Sequence, residues 1–187
     1  MWAGWEKQLS IVEEMLHVRG YVSLKAICHG LDPMVVCSCK DIKDKHCFVY
    51  FTKENKMGVK LLRKIRTEAL HWHASHIIIV TPDGLTPFAS KELSEADASE
   101  LEIEIFKKDE LSFNILRHRF VPKHTLLTSQ ERSEVLAKLD CKASQLPKLK
   151  ETDPVAKFMH YAPGSVIRID RRIGLMESEV YYRLVVP

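Results

Sequence analysis

The sequence predicts an α/β layered domain over residues 1–118 followed by a small α+β domain over 120–187. Three observations predict it. Helical and strand periodicities alternate through the first part, as they do where a short sheet is covered by helices. The run Ile77 to Val80 has the composition of a strand buried on both faces. Around Phe120 to Pro122 the pattern breaks, and the C-terminal part carries its own caps and strands.

Trp5, Leu9, Val12 and Leu16 recur at helical spacing and share one face, with Gly20 as a stop. Gly30 to Pro33 punctuate the chain, and Phe48 to Phe51 form the first strand. Gly58 ends the next loop. Val59 to Trp72 then read as a helix with Val59, Leu62, Ile65 and Ala69 buried and Lys60, Arg63, Lys64 and Arg66 outside. That basic face is a solvated surface or a nonspecific phosphate contact that weakens with salt. The strand Ile77 to Val80 is bounded by His76 and by the turn residues Pro82, Asp83 and Gly84. Leu101, Ile103 and Ile105 alternate with Glu100, Glu102 and Glu104, a half-exposed strand with an acidic solvent face.

In the second part, Thr128 and Glu131 make a capping box for a helix over Ser129 to Leu139. Asp153 followed by Pro154 marks another helix start. After Pro163 and Gly164 come two strands, Val166 to Ile169 and Val180 to Val186.

Composition narrows the function classes. Apolar residues make up 45% of 187, enough for a packed core. The longest aliphatic run falls far short of the roughly 20 residues that a bilayer span needs. The N-terminal residues have no apolar h-region, so an intracellular protein with no membrane contact is expected. Five cysteines without a repeating spacing fit reduced thiols. Residues 1–119 carry 17 cations and 17 carboxylates, and residues 120–187 carry 11 against 8, which is too weak an excess to drive nucleic-acid binding alone.

The blocks FVPKHTLLT (Phe120 to Thr128), ASQLPKLKETDPVAKF (Ala143 to Phe158), PGSVIRI (Pro163 to Ile169) and YYRLVV (Tyr181 to Val186) occur in this order. Together they resemble the assembly domain of the RNA polymerase subunit common to the eukaryotic nuclear enzymes, whose archaeal counterpart keeps that domain alone. Upstream, RGY (Arg19 to Tyr21), GVKLLRKI (Gly58 to Ile65) and IIIVTPDGLTPFASK (Ile77 to Lys91) resemble the eukaryotic jaw domain of the same polymerase component, whose fold is similar to restriction-type nucleases. The resemblance implies a non-catalytic subunit in the nucleus, the nucleolus included. It implies an assembly domain docked on the largest subunit and beside neighbouring small subunits, with His124, Leu146, Pro147, Asp153, Pro154, Arg168, Tyr182 and Arg183 at the docking surface. It implies a jaw domain beside downstream double-stranded DNA, with Thr86, Pro87, Ser90 and Lys91 nearest to it in a weak, nonspecific contact. No cofactor, metal or small-molecule substrate is implied. A free-standing regulator that competes for the same docking surface is the alternative.

Two departures mark a diverged member, one dedicated to a single polymerase. RRIGLMES (Arg171 to Ser178) stands where the family carries a Pro-Ser-Glu-Thr stretch, and Leu24 to Lys45 is short and rich in Cys and Lys.

Competing chemistries fit the residues less well. Cys37, Cys39, His46 and Cys47 are zinc-type ligands, but their spacing is not that of a structural zinc site, and thiols in the fold are the plainer reading. His71, His73 and His76 are expected to donate to carbonyls at a helix end. A nuclease needs an acid followed by a second acid two residues before a lysine. Pro82 and Asp83 start such a motif, yet Glu54 with Lys56 precedes them and Asp140 with Lys142 falls in the other domain. Ser90 capping a helix is the structural counterpart of the DNA-proximal reading. Arg168, Arg171, Arg172 and Arg183 are placed to pair with acidic residues of a partner.

Overall fold

The computed structural model describes residues 4–21, 34–40, 46–95, 101–173 and 177–187, with backbone alone for 34–40, 172–173 and 177–178. The chain divides into two compact units, Met1–Phe113 and Asn114–Pro187. Both mix helices with a four-stranded sheet. Asn114 begins the second unit by capping the 3-10 turn Ile115–Arg117, its side-chain oxygen accepting the Leu116 N–H at 2.9 Å.

The first unit runs α1 (Glu6–Val18), β1 (Met34–Lys40), β2 (His46–Phe51), α2 (Val59–His71), β3 (His76–Thr81), α3 (Pro87–Glu95) and β4 (Glu102–Lys107). Its sheet has the order β1-β2-β3-β4, antiparallel between β1 and β2 and parallel from β2 to β4. All six residues of β3 are buried, as a central parallel strand with both faces covered requires. Side chains alternate between faces along a strand. Phe48, Tyr50, Ile77 and Ile79 therefore share one face, where they pack with Leu62, Ile65 and Ala69 of α2 and Ala89 of α3. Val49, Phe51, Ile78 and Val80 point the other way and are buried too, with Trp5 packed on Phe51 at a ring separation of 5.4 Å.

The second unit runs β5 (Lys123–Leu126), α4 (Ser129–Lys138), β6 (Lys148–Lys150), α5 (Pro154–Met159), β7 (Val166–Ile173) and β8 (Glu177–Val186). The sheet order is β5-β7-β8-β6, with β6 parallel to β8 and the other pairs antiparallel. Leu149, Ala156, Tyr161, Ile167, Ile169 and Val185 form its core. Both expected caps are present. Thr128 and Glu131 exchange bonds at the start of α4, and the Thr128 N–H holds the Glu131 carboxyl below the usual carboxylate range. Asp153 accepts the Val155 N–H at 2.9 Å. Yet α4 buries none of its residues: Val135 and Leu136 are half-buried, and Leu139 just beyond is 47% exposed.

Several sequence expectations change. Leu9 is only half-buried, and Gln8 with Met15 completes the buried face of α1. The short strands β1, β5 and β6 were not expected, and β7 and β8 extend beyond Ile169 and before Val180. Thr86, not Ser90, caps α3: its hydroxyl accepts the Ala89 N–H at 3.3 Å and its carbonyl the Ser90 N–H at 2.9 Å. His76 opens β3 instead of ending α2. Gly30 to Pro33 lies outside the described residues, as do most of Leu24 to Lys45 and the centre of Arg171 to Ser178.

Helix ends follow one device. After α1, Gly20 at φ 90° lets the Tyr21 N–H reach Leu16 O at 3.0 Å and its own N–H reach His17 O at 3.1 Å. This is the left-handed cap that satisfies orphan carbonyls. After α2 and α4, His73 (φ 53°) and Asp140 (φ 47°) take that position without being glycine. The left-handed conformation crowds Cβ, and at Asp140 a negative charge also faces the negative end of the helix dipole. Asp140→Gly is expected to stabilise the second unit by about 0.5–1 kcal/mol, read as a higher urea midpoint at unchanged slope.

Candidate functional site

The residues expected near DNA sit together on the first turn of α3. Pro87 occupies the first helical position, where a missing N–H costs nothing and φ is already helical. Thr86 is half-buried in its capping role, and Ser90 and Lys91 are exposed. The Lys91 ammonium lies 3.8 Å from Glu95, an exposed pair that holds the lysine only loosely. The turn thus offers one hydroxyl and one ammonium to solvent, groups suited to phosphate oxygens and unable to read bases.

The residues expected at a docking surface are spread over the second unit. Arg168 and Tyr182 stand opposite each other across β7 and β8, with Thr125 of β5 next in the same row. Arg168 is exposed and donates to Asp170 at 2.8 Å, a bond that holds its guanidinium more firmly protonated. Tyr182 is half-buried. Arg183 points to the opposite face and donates to Lys148 O at 3.0 Å. His124 is half-buried, its Nδ1 2.8 Å from Pro122 O. Pro147 is exposed while its carbonyl accepts the Leu184 N–H at 2.9 Å. Pro154 is exposed on α5, Asp153 is half-buried in its cap, and Leu146 is buried.

Sequence reasoning missed an interior polar cluster in the first unit. Arg19 donates twice to Glu104, at 2.7 and 2.9 Å. His76 Nε2 lies 2.6 Å from the same carboxylate, and Tyr21 Oη lies 3.2 Å from His76 Nδ1. The side chains of Arg19, His76 and Glu104 are 4%, 7% and 11% exposed, so the strand expected to show an acidic face to solvent turns one of its carboxylates inward. The segment RGY was the signal: a cation placed beside a glycine cap is aimed by the turn, and β4 supplies the acid.

Other candidates resolve differently. Asp83 and Lys56 meet at 3.6 Å, each more than half exposed, on the loops after β3 and β2. Cys47 is buried and stands opposite Cys39 in the β1–β2 register; the side chains of Cys37 and Cys39 lie outside the described residues. Burial pushes the Tyr161 phenol up, and its hydroxyl has no partner among the described residues.

Over residues 113–185 the chain matches the family described as RNA polymerase Rpb5, C-terminal domain. It is 33% identical over 155 residues to the "DNA-directed RNA polymerases I, II, and III subunit RPABC1" of Caenorhabditis elegans, covering 83% of this chain and 73% of the relative. The protein of the same description in Dictyostelium discoideum is 35% identical over 151 residues, 80% of this chain and 77% of its own length. The "DNA-directed RNA polymerase subunit Rpo5" of Methanothermobacter thermautotrophicus is 45% identical over 71 residues, 38% of this chain and 92% of the relative.

Proposed function

Because this chain belongs to the Rpb5 family of RNA polymerase subunits, we propose that it is a non-catalytic subunit of a nuclear DNA-directed RNA polymerase. The observation that carries the reading is the reach of the similarity, 80–83% of the chain against full-length polymerase subunits, too long to be confined to either unit.

In this reading the second unit is the assembly domain and docks on the largest subunit and its small neighbours. Arg168, Tyr182 and Arg183 make the contacts on β7 and β8, with His124, Pro147 and Pro154 on the surrounding edges. Leu146 and Asp153 act from inside the fold, one by packing and one by capping α5. The poorly buried α4 supports a surface that a partner completes, since an amphipathic helix normally gains its stability from tertiary packing. The first unit is the jaw, with a restriction-nuclease-like fold, and approaches downstream DNA through Thr86, Pro87, Ser90 and Lys91. Its mixed sheet, parallel from β2 to β4 with helical crossovers, is compatible with that fold. Nuclear localisation follows from the assembly. The departures at Leu24 to Lys45 and Arg171 to Ser178 support dedication to one polymerase.

Affinity purification of the tagged full-length chain with quantitative mass spectrometry tests the reading. A subunit is recovered one to one with a single polymerase's largest subunit and persists through salt washes. Substoichiometric recovery that exchanges with free chain points to a competing regulator and overturns it. Equal recovery with all the nuclear polymerases keeps the subunit role and removes the dedication.

A further inference from the structure

The boundary between the two units redistributes the charge. Residues 1–113 carry 15 cations and 17 carboxylates, whereas residues 114–187 carry 13 against 8, so the small net charge of the chain hides a basic second unit. The excess is sharpest where that unit begins. No aspartate or glutamate occurs from Leu111 to Gln130, while Arg117, Arg119 and Lys123 all fall there and all three are exposed. Arg119 and Lys123 form no ion pair among the described residues. The carboxylate opposite Lys123 in the β5–β7 register, Asp170, is already bonded by Arg168.

A planar surface stands among these cations. Phe120 is 74% exposed, the Arg119 guanidinium lies 4.5 Å from its ring centroid, and the His118 ring is tilted against it at 5.7 Å. The turn that carries them is held by its own backbone. Asn114 is buried at its start and accepts the Arg117 N–H at 3.0 Å, the His118 carbonyl accepts the Val121 N–H at 2.9 Å, and His118 Nδ1 accepts the Phe120 N–H at 3.3 Å. Ring and cations are thus ordered before anything binds, which lowers the entropy that a ligand must offset.

Charge and ring together select the ligand. An acidic protein segment satisfies the cations and leaves the ring in water. A duplex brings phosphates, but its bases are stacked on one another and offer no face. An unpaired nucleotide carries a phosphate and a flat base in one unit, and base stacking on an aromatic ring beside arginine holds single strands on open surfaces without reading their sequence. We propose that the turn Arg117–Phe120 binds single-stranded nucleic acid, with an unpaired base on Phe120 and the adjoining phosphates on Arg119 and Lys123. The site uses none of the residues assigned above to docking or to duplex DNA, and it goes beyond the polymerase reading without depending on it.

The test uses the full-length chain and fluorescence anisotropy with four labelled probes: oligothymidylate, oligouridylate of the same length, a DNA duplex and polyglutamate. Both single strands are expected to bind saturably, and the tighter of the two identifies DNA or RNA as the source. Phe120→Ala should weaken them about fivefold or more at an unchanged salt slope, and Phe120→Tyr should keep the affinity. Arg119→Gln should instead flatten the slope of log affinity against log salt by about 0.7, the share of one phosphate contact. Phe120 and Arg119 are exposed, so these variants should melt with the wild type. The proposal is overturned if neither single strand binds, if Phe120→Ala leaves their affinity unchanged or weakens the duplex equally, or if polyglutamate binds as tightly as the strands.

Discussion

Glu104→Ala is expected to lower the stability of the first unit by about 3–5 kcal/mol, because it strips the carboxylate from a guanidinium that cannot return to water. Arg19 is 4% exposed on its side chain and gives two hydrogen bonds to that one carboxylate, while His76 meets it at 2.6 Å. The cost comes from the charge left behind more than from the bonds lost. A second substitution that removes the stranded cation should therefore reverse most of it. Arg19→Met combined with Glu104→Leu is expected to fall within about 1 kcal/mol of wild type. Urea unfolding followed by tryptophan fluorescence reads the first unit selectively, since Trp2, Trp5 and Trp72 all precede residue 114. A single Glu104→Ala loss below about 1 kcal/mol would show the cluster to be solvated and the account wrong.

Tyr182→Ala together with Arg168→Glu is expected to cut recovery of the full-length chain with the largest polymerase subunit by about tenfold or more, while thermal unfolding changes little. Tyrosine and arginine dominate interface energetics because each pairs a large rigid surface with directional donors. Here the two stand in one row of the sheet, and neither is buried in its own unit. Reversing the arginine charge also separates its local role from docking. Within the chain it pairs with half-buried Asp170 at the sheet surface, a contact of small worth. Lys53→Glu, at an exposed position of the first unit, serves as a charge-matched control. Undiminished recovery of the double variant would move the docking surface elsewhere.

The fold was legible where one local signal decided the outcome. Ile77 to Val80 had no reading but a buried strand, and Thr128 with Glu131 or Asp153 with Pro154 specify helix starts by their own chemistry. The edge strands were hidden for the opposite reason. Lys123–Leu126 and Lys148–Lys150 are largely exposed, carry no run of apolar residues, and become strands only by pairing with β7 and β8. Pairing between segments far apart in sequence leaves no local trace. Glu104 fell to the same limit: alternation with isoleucines gave its strand correctly, but only the long-range approach of Arg19 decides that the face is covered. At the candidate sites, the residue types on the α3 turn were readable and the capping role of Thr86 was misassigned by one helical turn.

The placement of β8 bears on how the protein is made. Within its sheet β6 pairs with β8, which in turn joins it to β7. On a translating ribosome the strands of the first unit are all synthesised by Lys107, so that unit can fold while the rest is still being made. The second cannot close until residues 177–186 have cleared the exit tunnel. A stalled or prematurely terminated product would thus carry one finished half and one open half, with β7 exposing an unpaired edge for chaperones or proteases to seize.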